Sequence, residues 1–312
     1  MKLSAPTEAR LSELGPRGEA WKRALPERLR ALEETFGCEL GEPLDGGSAA
    51  FVARVRRRDG TRAVLKVAVP HDGRGMDGFE RELAILTSTR GGAYVEALAH
   101  DREHRAMLLE ELGPPLERRG LSVERQVDVL GTTLARAWGN ASAVPGLPDG
   151  LHQADLLEEI LDAPPETNDP SPHAETLELA RTFLDRRRRA FDPSRAVLIH
   201  GDAHPSNVLS NTGEDFKLID PEGLLSMPEH DLGIPLRGWN DELLAANDPG
   251  AVAMSWVQRM ARVSGRSDVA AIWEWSFIER VTSGLFLLRL GLVSEAHPYL
   301  VAADRLRPPR TS

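Results

Sequence analysis

Residues 196–220 read AVLIHGDAHPSNVLSNTGEDFKLID, and the reading of this stretch decides the rest. A four-residue apolar run, Ala196 to Ile199, leads into a polar knot from His200 to Asn207. Val208 and Leu209 follow, then a turn-like Ser210-Asn211-Thr212-Gly213, then Phe216 to Ile219 ending on Asp220. The pattern predicts two short strands joined by a tight turn, with acceptor side chains just before and just after them. Packed strands hold the groups at their ends rigid and close together, as a metal or a reacting hydroxyl requires.

Asp202 and Asn207 stand five apart. Phosphoryl transfer uses that spacing for an aspartate facing the attacking hydroxyl and an asparagine on magnesium. Asp220, at a strand end, occupies the place of the second magnesium ligand. Magnesium takes hard oxygen donors, one or two from carboxylates and the rest from phosphate, so this pair suits it. His200 and His204 have the i, i+4 spacing of a helical zinc pair, but Gly201 and Pro205 speak against a helix and no third soft ligand is near.

The knot H-G-D-x-H-x-x-N, the run Ile219-Asp220-Pro221-Glu222-Gly223 and the later His230-Asp231-Leu232-Gly233 resemble the aminoglycoside phosphotransferase family. Within it they are nearest the streptomycin, viomycin and hydroxyurea kinase branch. The resemblance covers His200 to Gly233 and extends more loosely over Gly46 to Glu111. It implies an α+β, bilobal, protein-kinase-like fold: a small antiparallel-sheet N-lobe over 1–112 and a mostly helical C-lobe over 113–312. It also implies that His200 shapes the loop, that His204 lies nearer nucleotide and metal, and that Asp231 braces the loop by accepting its backbone hydrogen bonds.

The chain itself carries matching signals. Pro26 to Phe36 has Leu29, Leu32 and Phe36 on one helical face and Gly37 as its stop, while residues 1–24 show little periodicity. Strands are predicted at Glu39-Leu40, Phe51–Val55 and Ala63–Ala68, the last two joined through Asp59-Gly60, then at Tyr94–Leu98 and Arg105–Leu109. A helix opens at Asp77, with Glu80 three residues on as a capping box and Phe79, Leu83 and Leu86 as its stripe. Beyond Gly113 helical spacing dominates: Val123 to Trp138, Leu156 to Leu161, Leu177 to Leu184, Val252 to Val263 and Val269 to Leu288. Ala163 to His173, rich in Pro and polar residues, reads as a loop, and Arg186–Arg189 as a solvated basic helix end.

Lys66 interrupts an apolar strand, and an ammonium there must be exposed or paired. In the kinase template a third-strand lysine holds the α- and β-phosphates and pairs with a helix glutamate. Glu82 is the partner expected, with Glu80 left at the helix N-terminus. Asp45-Gly46-Gly47-Ser48-Ala49-Ala50 is either a Gly-Gly hairpin or a loop whose N–H groups face phosphate, Gly47 lending backbone and Ser48 its side chain. It lacks the full G-x-G-x-x-G. Met107 to Leu112 is an edge strand or, by resemblance, the strand whose Glu110 and Leu112 backbone groups bond a purine.

With 312 residues and a formal net charge of −10, the chain can bury two cores and is ill suited to nucleic acid. One cysteine, Cys38, excludes an internal disulfide. The start lacks a signal-peptide core and Arg289 breaks the most apolar run, so a cytoplasmic, non-membrane protein is expected. Glu222, Glu229, Glu274 and Glu279 could each meet a cationic acceptor or simply be surface acids. Trp239, Trp273 and Trp275 are core or pocket wall.

The resulting expectation is an ATP- and magnesium-dependent O-phosphotransferase, GTP remaining possible, that inactivates an aminoglycoside-type or related basic antibiotic. A metabolite kinase for a sugar, amino alcohol or amino acid is the alternative within the fold. A non-catalytic nucleotide-binding module is the alternative outside it, disfavoured because Lys66, Asp202, Asn207 and Asp220 are all retained. No A-P-E-type peptide-docking segment follows Asp220. Monomer and homodimer are both open.

Overall fold

The computed structural model describes residues 3–44, 49–71, 73, 76–140, 144–162 and 173–307. The chain forms two compact units, 1–113 and 114–312, one residue beyond the boundary expected near Leu112.

The first unit begins with helices α1 (Ala5–Glu13) and α2 (Pro16–Phe36), then strands β1 (Cys38–Pro43), β2 (Ala50–Arg57) and β3 (Arg62–Ala68). Helix α3 (Gly78–Thr89) and strands β4 (Ala97–Asp101) and β5 (Ala106–Glu110) complete it. The five strands are antiparallel in the order β1-β2-β3-β5-β4, with α3 inserted after the third.

Alternation along β2 and β3 sends Phe51, Ala53, Val55, Ala63, Leu65 and Val67 to one face. There they pack with Trp21, Leu25, Leu29 and Leu32 of α2 and Leu11 of α1. Helix α2 thus starts ten residues earlier than the sequence suggested, and Pro26 sits inside it rather than in its first turn. The stripe simply continues backward through Leu25 and Trp21, whose indole donates to Ala68 O at 3.1 Å. Strand β4 is displaced toward the C-terminus of the expected Tyr94–Leu98. Tyr94 and Val95 are buried by side-chain packing, outside the regular ladder.

Helix α3 starts where Asp77 caps it: the carboxylate accepts from Phe79 N at 3.0 Å and holds the Arg105 guanidinium at 2.5 and 2.8 Å. Arg105 holds the Asp77 carboxyl below the ordinary range, against the upward push of burial. Glu80 pairs with Arg102 at 3.0 Å.

The second unit contains α4 (Val123–Asn140), α5 (Gly150–Asp162), α6 (Ala174–Arg189) and four three-residue strands. These are β6 (Val197–Ile199), β7 (Val208–Ser210), β8 (Phe216–Leu218) and β9 (Leu224–Ser226). Helices α7 (Pro228–Gly233), α8 (Asn240–Ala245), α9 (Pro249–Ser264), α10 (Val269–Arg289) and α11 (Val293–Arg305) follow. Strands β7 and β8 are the predicted hairpin, while β6 pairs with β9. Helix α10 is buried around most of its circumference and packs on α6, α7, α9 and α11, as a central helix must. Gly233 lets α7 come close: a Cβ there would sit 2.5 Å from Trp275 Cβ. Among the described residues no helix is long and apolar enough to cross a membrane.

Candidate active site

The polar knot leaves β6 through His200 and Gly201. Both amides donate to Asp231, at 3.0 Å to Oδ2 and 3.0 Å to Oδ1, and the Trp138 indole adds a third bond at 2.9 Å. Asp231 is fully buried, so these charge-assisted bonds fix the loop backbone strongly. Gly201 has φ +84°, and a Cβ on it would lie 2.8 Å from Leu224 Cδ2. Glycine is therefore needed at the turn.

His200, also fully buried, bonds Ile219 O through Nε2 at 2.8 Å and receives Asp202 N at Nδ1 at 3.1 Å. Those partners define a neutral ring protonated on Nε2. His200 thereby ties the knot to the end of β8. A short 3-10 turn, Pro205–Asn207, closes the loop. Asn207 Nδ2 donates to Asp202 O at 3.0 Å, and Asn207 O accepts from Ile219 N at 3.0 Å. Asp202, Asn207 and the residue preceding Asp220 are thus linked directly by hydrogen bonds.

The Asp202 side chain is one-third exposed. Its Oδ1 accepts from Arg237 Nη2 at 2.6 Å, and His204 Nε2 lies 3.5 Å from Oδ2. Burial alone would raise its pKa, but the bond from His204 and the Arg237 charge hold it down at about 2. The carboxylate is thus held ionised, an acceptor at both oxygens.

Asp220 has φ +56°, in the left-handed region that a non-glycine residue enters only when its surroundings hold it there. With its amide nitrogen committed to Asp202 O, Asn207 keeps Oδ1 as a donor oxygen, and Asp220 supplies a carboxylate. Two hard oxygen groups at one end of a rigid hairpin fit magnesium with phosphate completing its shell. Among the described residues no cluster of three His, Cys, Asp or Glu forms a self-sufficient metal cage.

In the first unit Lys66 Nζ lies 2.7 Å from both Glu82 oxygens, with side chains 13% and 10% exposed. The buried ammonium is therefore paired, and Glu82 is the partner. Gly47 and Ser48 lie outside the described residues, as does nearly all of the loop expected at 163–173. Glu110 N is taken by Glu96 O at 3.0 Å, and its side chain accepts from Glu96 N at 2.7 Å. Its amide is thus committed within the first unit, which bears on the N–H and not on the carbonyl of the expected purine contact. Leu112 follows the end of β5, half-buried.

Of the four acids considered for a cationic acceptor, Glu222 alone is exposed, beside the Gly201 turn. The other three correct the expectation of surface acids, being 6%, 3% and 6% exposed for Glu229, Glu274 and Glu279. Glu274 is held by Arg186 and by Arg187 at 2.6 Å, so it is committed to structure. By the same contacts the basic end of α6 carries an ion-pair network, Arg188 adding Asp155 and Glu158, while Arg186 and Arg189 remain exposed as expected. Glu229 lines a cavity of about 120 Å³ with Arg187, Arg188, Arg195 and Trp275, away from Asp202's contacts. Glu279 bonds His230 at 3.0 Å and Arg237 at 3.2 Å. Trp275 is core, stacked on His230 at 3.7 Å between centroids.

Arg237 was missed by sequence reasoning. The signal was there: an arginine ending the apolar run Leu232-Gly233-Ile234-Pro235-Leu236 must find a counter-charge, by the logic applied to Lys66.

The chain is similar to known proteins along most of its length. The model of the aminoglycoside/hydroxyurea antibiotic resistance kinase family matches residues 38–291. A streptomycin 6-kinase of Streptomyces glaucescens is 29% identical over 300 residues, covering 94% of this chain and 92% of that protein. A hydroxyurea phosphotransferase of Kitasatospora aureofaciens is 28% identical over 276 residues, covering 86% and 78%. Among solved structures, the aminoglycoside phosphotransferase APH(4)-Ia superposes with TM-score 0.60 at 16% identity, covering 89% of this chain and 98% of that one. Choline kinase LicA of Streptococcus pneumoniae superposes with TM-score 0.59 at 12% identity, covering 88% and 99%. The fold is protein-kinase-like, a small antiparallel-sheet region followed by a mostly helical one.

Proposed function

The chain belongs to the aminoglycoside/hydroxyurea antibiotic resistance kinase family, and from that premise we propose an ATP- and magnesium-dependent O-phosphotransferase that inactivates an aminoglycoside-type or related basic antibiotic. The observation that carries the reading is the loop geometry. Asp202, Asn207 and Asp220 are drawn to one end of the β7–β8 hairpin by His200, the 3-10 turn and Asp231.

Asp202 accepts the hydrogen bond of the acceptor hydroxyl and aims its oxygen at the γ-phosphorus. As the new oxygen–phosphorus bond forms, the bond to the ADP leaving group breaks and the hydroxyl proton passes to Asp202. Positioning of this kind supplies most of the catalysis in phosphoryl transfer. Asn207 Oδ1 and the Asp220 carboxylate would hold magnesium, which neutralises phosphate charge when bound. Lys66, kept in place by Glu82, would bind the α- and β-phosphates. Ser48 and Gly47 would line them, and Leu112 would offer backbone groups to the purine. His204 steadies the second carboxylate oxygen of Asp202. Glu222 is the acid retained as a contact for a cationic acceptor, in keeping with the net charge of −10.

The test is incubation of purified protein with ATP or GTP and magnesium against a panel of streptomycin, other aminoglycosides, tuberactinomycins, hydroxyurea and choline. The expected result is ADP release together with a mass gain of one phosphoryl group on an antibiotic. Phosphorylation of choline alone would replace the proposal with a metabolite kinase. Nucleotide binding without transfer to any acceptor would refute it.

A further inference from the structure

The charged groups behind the candidate catalytic carboxylate form a continuous chain. Arg237 Nη2 binds Asp202 Oδ1 at 2.6 Å, and its Nη1 binds Glu279 Oε2 at 3.2 Å. The other Glu279 oxygen takes His230 Nε2 at 3.0 Å, and His230 Nδ1 faces Ser226 Oγ at 3.3 Å. The His230 ring lies flat on Trp275, with 14° between planes. His230 and Ser226 are essentially inaccessible, and Glu279 is 6% exposed.

We propose that Arg237, anchored by Glu279 and His230, is a positioning residue for phosphoryl transfer: its guanidinium fixes one oxygen of the Asp202 carboxylate so that the other addresses the acceptor hydroxyl. This rests on the function proposed above and assigns a role within the same site.

Three features support a positioning role over a generic ion pair. First, the guanidinium bridges two carboxylates with separate nitrogens. Its planar fork can do this without rotating, whereas a lysine presents a single nitrogen. Second, Glu279 cannot follow a displaced Arg237, because His230 holds its other oxygen and His230 is itself stacked. Third, the backbone around Arg237 is clamped independently. Arg280, next to Glu279 on α10, is 1% exposed and donates to Leu236 O and, at 2.9 Å, to Asn240 Oδ1. One turn of α10 therefore holds both the side chain of Arg237 and the chain on either side of it.

A short helix then governs the catalytic aspartate by two routes. On α7, Asp231 holds the backbone at His200 and Gly201, and His230 starts the relay that reaches the Asp202 carboxylate. With the first oxygen of Asp202 taken by Arg237 and the second beside His204, the direction left for a hydroxyl is narrow. Free rotation of the carboxylate would lose that direction without disturbing nucleotide contacts.

The test compares the full-length wild type with Arg237→Met and Arg237→Lys by steady-state kinetics, with ATP and streptomycin, or hydroxyurea where streptomycin is not turned over. A crystal structure of each variant accompanies the kinetics. Arg237→Met is expected to lower kcat about 10- to 100-fold, the scale of a misplacement near 1 Å, with KM for ATP within about twofold. Arg237→Lys, still able to reach Asp202, is expected to recover part of the loss, and the Asp202 carboxylate is expected to have rotated in Arg237→Met. A kcat within about threefold of wild type in Arg237→Met overturns the proposal. So does an Asp202 rotamer unchanged in that variant, a readout that needs no turnover. If Arg237→Met does not fold, the lysine variant decides: its Asp202 carboxylate must shift and its kcat fall with KM for ATP held. A wild type that phosphorylates no acceptor refutes the functional reading instead, and the rotamer still decides this one.

Discussion

Replacing Asp231 with alanine should cost more stability than any single change within the loop it holds. The side chain is fully buried and accepts three hydrogen bonds, from His200 N, Gly201 N and Trp138 Nε1. Truncation strands two buried donors and a part-buried one, at Gly201, each worth roughly 1–3 kcal/mol when left unsatisfied. Removing a buried carboxylate also relieves its own desolvation, so the lower part of the sum, about 3–5 kcal/mol, is the expected loss. Against a typical total of about 5–15 kcal/mol that is a large fraction. Asp231→Asn retains one acceptor oxygen and should lose about half as much. Urea denaturation followed by circular dichroism gives the free energies, and hydrogen exchange reads the amides of His200 and Gly201 directly. An Asp231→Ala protein within about 1 kcal/mol of wild type, its two amides still protected, would refute the claim that Asp231 holds the loop.

Three further outcomes follow. Asp202→Asn should lower kcat at least about 100-fold while leaving nucleotide affinity within about twofold, and near-normal turnover would remove Asp202 from the reaction. Asp220→Ala should raise the magnesium concentration needed for nucleotide binding, measured by titration calorimetry; an unchanged magnesium dependence would reject it as a ligand. The Asp77 carboxyl is depressed by Arg105, so its contribution to stability is complete above the unfolded value of about 3.9 and is lost as pH falls through the folded one. Asp77→Asn should therefore be destabilised at neutral pH and show a smaller further loss on acidification than wild type, and parallel pH curves would contradict the sign.

Much of this architecture was legible because it rests on local rules. The apolar run Ala63–Ala68 exposed Lys66 as an intruder, and the need to pair it led to Glu82, which lies 2.7 Å away. Asp77 announced the start of α3 because an N-cap acceptor is a local device. What escaped had causes elsewhere in the chain. Strand β9 is three residues long and exists because β6 lies beside it, so no period could reveal it. Helix α2 was begun too late because Pro26 reads locally as a first turn, while Trp21 and Leu25 are bound into the sheet core. The acids of α10 read as substrate contacts or surface acids because their counter-ions lie far away in sequence: Arg186 and Arg187 for Glu274, Arg237 for Glu279.

That last failure bears on how such a site is found. An isolated charge in an apolar run is a demand for a partner, and the demand can be followed across the molecule. Lys66 meets its demand within sixteen residues, which makes the pair visible in the sequence. Arg237 meets its demand from Asp202, 35 residues before it, and Glu279, 42 after it. A free energy of several kcal/mol per unpaired ion means that removing either the arginine or the glutamate leaves the other short of a counter-charge. Their shared neighbour is Asp202. If the pair served packing alone, an apolar pair of similar volume would replace it at no cost to turnover. A double substitution Arg237→Met with Glu279→Met separates the two demands. If it restores stability and leaves kcat depressed, the charge serves the carboxylate; if it restores both, the ion pair is only a way of filling α10's groove.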